Sequence, residues 1–199
     1  MNNVNISRVI EKIEAVRNGE KAYVFKNLAP ATPTWDQFIA HLDDAIHNFQ
    51  PSPSQEPLEQ RIINGVIQRR LFYLMVDGPT QHYYPESQAV HDIFNEALNT
   101  EISPVSAFIN FIGREKAGGA HTDNRETIYW QCIGEAVWHI YDSLEDRYPR
   151  AEYVLQPGDV IFVAEGVIHQ VRADQPRAAI GFQYRPNDPS FNRPEQQNI

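Results

Sequence analysis

The sequence predicts a mainly β protein, a sandwich or barrel of short strands in the second half with helices of the first half packed outside it. Two observations predict this. From Val105 onward, short apolar or alternating segments recur between turn residues: VSAFINFI, ETIYWQCI, AVWHIYD, YVL, DVIFVA, VIHQVR and RAAIGFQY. Several short strands at regular spacing are the signature of an all-β sandwich or barrel. Before residue 103 the apolar spacing is mostly helical instead.

Taken in order, Val9, Ile10, Ile13 and Val16 fall on one helical face, and Gly19 follows as a stop signal. AYVFKNL (22–28) reads as a short strand. Thr34 precedes Trp35-Asp36-Gln37 in a capping-box pattern, and Phe38, Ile39, Leu42 and Ile46 continue as the apolar stripe of the helix it opens. The Pro- and Ser-rich QPSPSQEP (50–57) reads as a loop, followed by a helix through Ile62, Ile63, Val66 and Ile67. LFYLMV (71–76) reads as a buried strand and residues 86–99 as a further helix. Strands of the barrel are expected near 105–112, 127–133, 136–141, 159–163, 167–172 and 177–184. Residues 1–199 are read as one domain: a mostly helical portion over 1–102 packed on the barrel, a β core over 103–185 and a polar tail over 186–199. No internal repeat is present.

Composition narrows the class. With 42% hydrophobic and 22% charged residues, the 199-residue chain is ordinary for a globular protein. A formal net charge of −9 disfavours a nucleic-acid partner, because phosphate binding needs clustered Lys and Arg. One cysteine, Cys132, precludes an intrachain disulfide and a Cys-rich zinc site. The start, MNNVNISRVIEKIEAV, has neither a basic n-region nor a long apolar run, and no stretch approaches a membrane span. A cytoplasmic protein without a membrane partner is expected.

The chemistry centres on AHTDN (120–124). In a strand, residues i and i+2 share a face, so His121 and Asp123 can aim an imidazole and a carboxylate at one point. GVIHQV supplies a third candidate, His169. Two His and one carboxylate, with positions left open, form the facial triad of non-haem Fe(II) oxygenases. HxD alone is weak, and an ordinary hydrogen-bonded His–Asp pair is the competing reading. His169 alone would be structural. His41, His47, His82, His91 and His139 have no comparable context, and Glu126, five residues after His121, is poorly spaced for a ligand. Trp130, Trp138 and Cys132 read as core residues.

The surroundings of the triad decide between these readings. GDVIFVAEGVIH (158–169) resembles the second cupin motif through Gly158, Gly166 and His169, with Ala164 standing where Pro is usual and Ala173 where many cupins have Asn. HTDNRETIYWQCIGEAVW (121–138) resembles the metal-binding hairpin of JmjC-type, ribosomal-oxygenase-like hydroxylases, with Gln131, Gly134 and Trp138 at the corresponding offsets. The resemblance covers roughly residues 103–184. It implies a double-stranded β-helix (cupin or jelly-roll) of antiparallel strands, Fe(II) on His121, Asp123 and His169, 2-oxoglutarate as cosubstrate, and hydroxylation by O₂.

One departure bears on the cosubstrate. The Lys or Arg that JmjC-like enzymes place on the second hairpin strand, against the far carboxylate of 2-oxoglutarate, is Ala136 here. Arg177, eight residues after His169 and at the head of the last strand, is the candidate replacement, since many other 2-oxoglutarate oxygenases carry an Arg about there and PRAAIGFQY resembles their closing strand; Arg185, at the strand's far end, is a poorer second, and a surface residue after a Pro turn is the competing reading for Arg177. A guanidinium fork suits a carboxylate. Thr127 and Tyr129 share the face of His121 and Asp123 if the strand is unbroken, so their hydroxyls are candidates too; barrel lining is the competing reading. The expected substrate is a small molecule or an amino-acid- or peptide-like one, because the docking and dimerisation domains of larger relatives find no length here. Two rivals stay open: a metal cupin that uses O₂ without 2-oxoglutarate, and a non-enzymatic ligand-binding cupin.

Overall fold

The computed structural model describes residues 4–48, 74–77, 83–100, 102–111 and 119–184. The expected loop at 50–57, the helix through 62–67, His82 and the tail from 186 lie outside them, as does Arg185. Helix α1 (Ile6–Ala15) is capped by the Asn5 side chain on the Arg8 N–H. It runs into a wide turn, Val16–Glu20, that ends through Gly19 at φ 125°. Strand β1 (Ala22–Phe25) follows, then α2 (Trp35–Asn48), opened as expected by the Thr34–Gln37 capping box, in which the Thr34 N–H donates to Gln37 Oε1 at 2.8 Å. Strand β2 (Leu74–Asp77), a 3₁₀ turn (Pro85–Ser87) and α3 (Gln88–Leu98) complete the first half.

The second half carries β3 (Ser103–Asn110), β4 (Glu126–Ile133), β5 (Ala136–Tyr141), β6 (Ala151–Leu155), β7 (Val160–Val163), β8 (Ile168–Arg172) and β9 (Arg177–Tyr184). They form two sheets, ordered β1-β7-β4-β9-β3-β2 and β6-β5-β8, with every pairing antiparallel. This is the double-stranded β-helix architecture as a two-sheet jelly-roll; the sheets face one another and, among the described residues, do not close into a single hydrogen-bonded barrel. The strands read at 22–28 and 71–76 are present as β1 and β2, but the expectation of a barrel confined to the second half is corrected. β1 and β2 come from the first half and pair onto β7 and β3. They cover backbone edges that would otherwise offer unpaired N–H and C=O groups.

The alternation of each strand sorts its side chains onto two cores. Ile128, Trp130 and Cys132 of β4, Val160 and Phe162 of β7, and Ala178, Ile180 and Phe182 of β9 pack with Val9, Ile13, Phe38, Val90 and Phe94 of the helices. Tyr129, Ile161, Val163 and Ala179 face the smaller sheet, where Trp138, Ile140 and Leu155 meet them. Each buried aromatic withdraws roughly 150–250 Å² from water, about 4–6 kcal/mol at ~25 cal/mol per Å² before the entropy of ordering is set against it. Trp130 and Trp138, one in each core, therefore anchor both layers. At the start of β4, the buried Glu126 takes a bidentate contact from Arg17 at 2.7 Å, tying the turn after α1 to the sheet and removing Glu126 from any ligand role. Among the described residues, no helix is long and apolar enough to cross a membrane.

The β4–β5 turn depends on Gly134, at φ 67°. A Cβ there would collide with the Pro176 carbonyl oxygen and sit 3.3 Å from Arg177 Cα. Gly134→Ala combines left-handed strain with that collision. It is expected to lower the unfolding free energy by more than about 2 kcal/mol, read as a lower urea midpoint at unchanged m-value. A loss under about 0.5 kcal/mol, the range of neutral surface changes, would contradict this packing.

Candidate metal centre

His121, Asp123 and His169 converge. One donor atom from each lies within 4.8 Å of the others, and among the described residues this is the one such group of three His, Cys, Asp or Glu side chains. His169 Nε2 stands 3.8 Å from Asp123 Oδ2, and the two imidazole centroids are 4.5 Å apart. His169 comes from β8 of the small sheet. His121 and Asp123 come from the segment leading into β4 of the large one. The HxD pair does not sit on a continuous strand, as the i, i+2 argument assumed. His121 forms an isolated bridge to His169, residues 122–125 belong to no strand, and β4 begins only at Glu126. Backbone contacts supply the alignment instead. His121 N–H donates to the His169 carbonyl at 3.0 Å, His169 N–H returns to the His121 carbonyl at 2.8 Å, and Gly166 N–H donates to the Asp123 carbonyl at 2.9 Å.

The same surroundings set each donor's chemistry. His121 Nδ1 faces the Gly119 carbonyl at 3.1 Å, and His169 Nδ1 faces the Val167 carbonyl at 3.0 Å. A carbonyl only accepts, so both Nδ1 atoms carry the proton and both Nε2 lone pairs are left for a cation. Burial pushes the His169 imidazole below its ordinary value, and the His121 ring adds to this. The Val167 carbonyl and the Asp123 carboxylate pull the other way. Burial thus favours the neutral form of His169, the form a metal ligand needs. Thr127 Oγ1 donates to Asp123 Oδ2 at 3.1 Å and orients the carboxylate. Two imidazoles and one carboxylate, each aimed by a second contact, fit a divalent transition metal.

The remaining predicted residues lie on the inner face of the large sheet. Arg177, only 1% exposed, donates through Nη1 to the Tyr129 hydroxyl. Tyr129 meets Trp138 edge-on at 5.0 Å, and Trp138 stacks on His169 at 5.1 Å and 24°. Arg177, Tyr129, Trp138 and His169 therefore form one continuous line from the buried cation to the triad. Ala136 is fully buried and shares the inner face of β5 with Trp138 and Ile140. Sequence reading treated Trp138 as core filler, although its period-two relation to Ala136 already put it on the site's face. It did not single out Phe108, whose ring lies 5.2 Å from Tyr129 and would meet a Cβ at Gly181 at 2.5 Å. Cys132 faces the helices, and burial pushes its thiol well up, so it takes no part. His139 points out of the small sheet to Glu152 at 3.0 Å.

The sequence matches the JmjC domain family over residues 81–190, more than half of the chain, and the chain belongs to that family. No curated protein matches it. Among solved structures, the fold is similar to YcfD, a ribosomal oxygenase from Escherichia coli. The structure of YcfD with cobalt and 2-oxoglutarate is 15% identical over 89% of this chain and 53% of that one, at a TM-score of 0.56. The structure with cobalt and succinic acid is 14% identical over 89% and 52%, at 0.57, and a further YcfD structure reaches 0.59 at 15% identity over 89% and 53%. At these identities the likeness is one of fold. The chain spans about half the length of YcfD.

His121→Ala and His169→Ala are each expected to lose stoichiometric Fe(II) while far-UV circular dichroism stays unchanged. Thr127→Val is expected to weaken metal affinity about ten-fold, since it frees the Asp123 carboxylate to turn. Metal analysis after gel filtration checks all three, and an Ala variant that kept one Fe(II) per chain would remove its residue from the ligand set.

Proposed function

We propose that this chain is an Fe(II)- and 2-oxoglutarate-dependent oxygenase that hydroxylates a small molecule or an amino-acid- or peptide-like substrate. The observation that carries the proposal is the buried Arg177 guanidinium, joined through Tyr129 and Trp138 to the His121–Asp123–His169 cluster. A 2-oxo diacid needs two things of a protein: open positions on a metal for its oxo-acid end and a buried cation for its far carboxylate. Candidates for both border the space between the sheets: His169 on the inner face of β8, with His121 and Asp123 beside it, and Arg177 on the inner face of β9. Gly134 abuts Arg177 at the turn into β5, so Arg177 enters from the large sheet beside the strand whose usual basic position is Ala136. YcfD, with the same fold, has been solved with cobalt and 2-oxoglutarate, and both ligand types suit the donors present here.

In this reading His121, Asp123 and His169 hold the metal through Nε2, a carboxylate oxygen and Nε2. Thr127 and the Gly119 and Val167 carbonyls keep those atoms aimed. Arg177 and the Tyr129 hydroxyl hold the distal carboxylate. Trp138, Phe108 and Ile140 line the apolar wall that keeps water from the reacting centre. Bound there, iron and 2-oxoglutarate supply the oxidation of an unactivated C–H bond by O₂. Ala136 favours one rival, a metal oxygenase that uses O₂ without 2-oxoglutarate. Release of succinate from 2-oxoglutarate with Fe(II), O₂ and ascorbate separates the two. Succinate is expected even without added substrate, from slow uncoupled turnover, and iron-loaded protein that forms none would point to the rival.

Arg177→Ala is expected to raise KM for 2-oxoglutarate about thirty-fold to several-thousand-fold, since removing one partner of a buried charge pair costs roughly 2–5 kcal/mol, with iron content unchanged. Adding Ala136→Lys to that variant returns a cation from the opposite sheet and is expected to recover part of the loss. An unchanged KM in Arg177→Ala would refute its role.

A further inference from the structure

We propose that the Trp138 indole N–H is a hydrogen-bond donor to the acid held between Arg177 and the metal ligands, a contact that deepens the 2-oxoglutarate reading and rests on it. Trp138 is 2% exposed, and its Nε1 is buried without a hydrogen-bond partner among the described residues. The other core tryptophan is satisfied: Trp130 Nε1 donates to the Ala29 carbonyl at 3.1 Å. A buried donor left unpaired is costly, and a phenylalanine would pack in the same slot without that cost. The indole N–H therefore marks the place of an acceptor that the described residues do not supply.

Position says which acceptor. The indole stacks on the His169 imidazole and meets the Tyr129 ring edge-on, while the Tyr129 hydroxyl accepts from Arg177. Trp138 thus lies on the inner face between a candidate metal ligand and the buried cation, the interval a bound 2-oxo diacid must bridge. A carboxylate is the strongest acceptor an indole can meet there. Indole also carries no charge, so it adds a directed contact without competing with Arg177 for the acid's charge.

The test uses Zn(II)-loaded full-length protein carrying ¹⁵N-labelled tryptophan. The chain has three indole N–H groups, on Trp35, Trp130 and Trp138. Adding 2-oxoglutarate is expected to move the Trp138 indole proton downfield and slow its exchange with water, while the Trp130 resonance stays in place. In parallel, Trp138→Phe is expected to keep its zinc and to bind 2-oxoglutarate about ten-fold or more weakly by calorimetry, the scale of one hydrogen bond to a charged group. If the wild type binds 2-oxoglutarate with no change at the Trp138 indole and Trp138→Phe binds equally well, the contact is overturned and the oxygenase reading stands. If the wild type binds no 2-oxoglutarate, that reading falls and this contact with it. Should Trp138→Phe fail to fold, the wild-type indole resonance decides alone.

Discussion

Two backbone hydrogen bonds between His121 and His169 are what the rest of the site depends on. They run in opposite directions, 3.0 and 2.8 Å long, and join the segment before β4 to β8, which belongs to the other sheet. Without them, the HxD segment would be an irregular run at the mouth of the sandwich, with no fixed relation to His169. With them, two imidazoles and a carboxylate from separate sheets share one locus. The Gly166 N–H on the Asp123 carbonyl adds a third tie, and the Gly119 and Val167 carbonyls set both rings in the same tautomer. The three side chains are held by main-chain geometry, so these candidate ligands can change without unfolding the sheets that carry them.

Behind that junction the interior is sorted by strand alternation. One face of the large sheet is given to the helices and holds Trp130, Cys132, Phe162 and Phe182. The other faces the small sheet and holds aromatic residues together with Thr127 and Arg177. A one-residue slip in β4 or β9 would exchange these faces, sending Tyr129 and Arg177 into the helical core and Trp130 and Ile180 into the site. Gly134 and Gly181 leave the close approaches this register needs, against Pro176 and Phe108. The fold and the site are therefore specified by the same alternation.

The local part of this organisation was legible in the sequence. β4, β5, β8 and β9 announce themselves by alternation between turn residues, and Gly158, Gly166 and His169 carry a recognisable spacing. Arg177 could be singled out because Ala136 left a basic position unfilled. What stayed hidden is non-local. Nothing in AYVF or LMVD says which edge of which sheet each strand completes, because pairing partners 135 and 33 residues away leave no local pattern (Phe25 with Val160, Met75 with Phe108). The Arg17–Glu126 pair spans 109 residues and is invisible for the same reason. The HxD geometry was anticipated from strand periodicity, whereas it arises from a bridge across sheets. Trp138 read as core filler because composition does not reveal whether an indole N–H meets an acceptor.

In the proposed function the triad and Arg177 together hold a metal-chelating 2-oxo diacid, with the acid-binding cation on β9 in place of β5. An anaerobic titration of 2-oxoglutarate into Fe(II)-loaded protein, followed by visible absorption, tests it most directly. Bidentate chelation of Fe(II) by a 2-oxo acid produces a metal-to-ligand charge-transfer band. The account predicts that such a band saturates at one equivalent in the wild type and forms only at much higher 2-oxoglutarate in Arg177→Ala. Stoichiometric Fe(II) binding with no charge-transfer band at any 2-oxoglutarate concentration would contradict it.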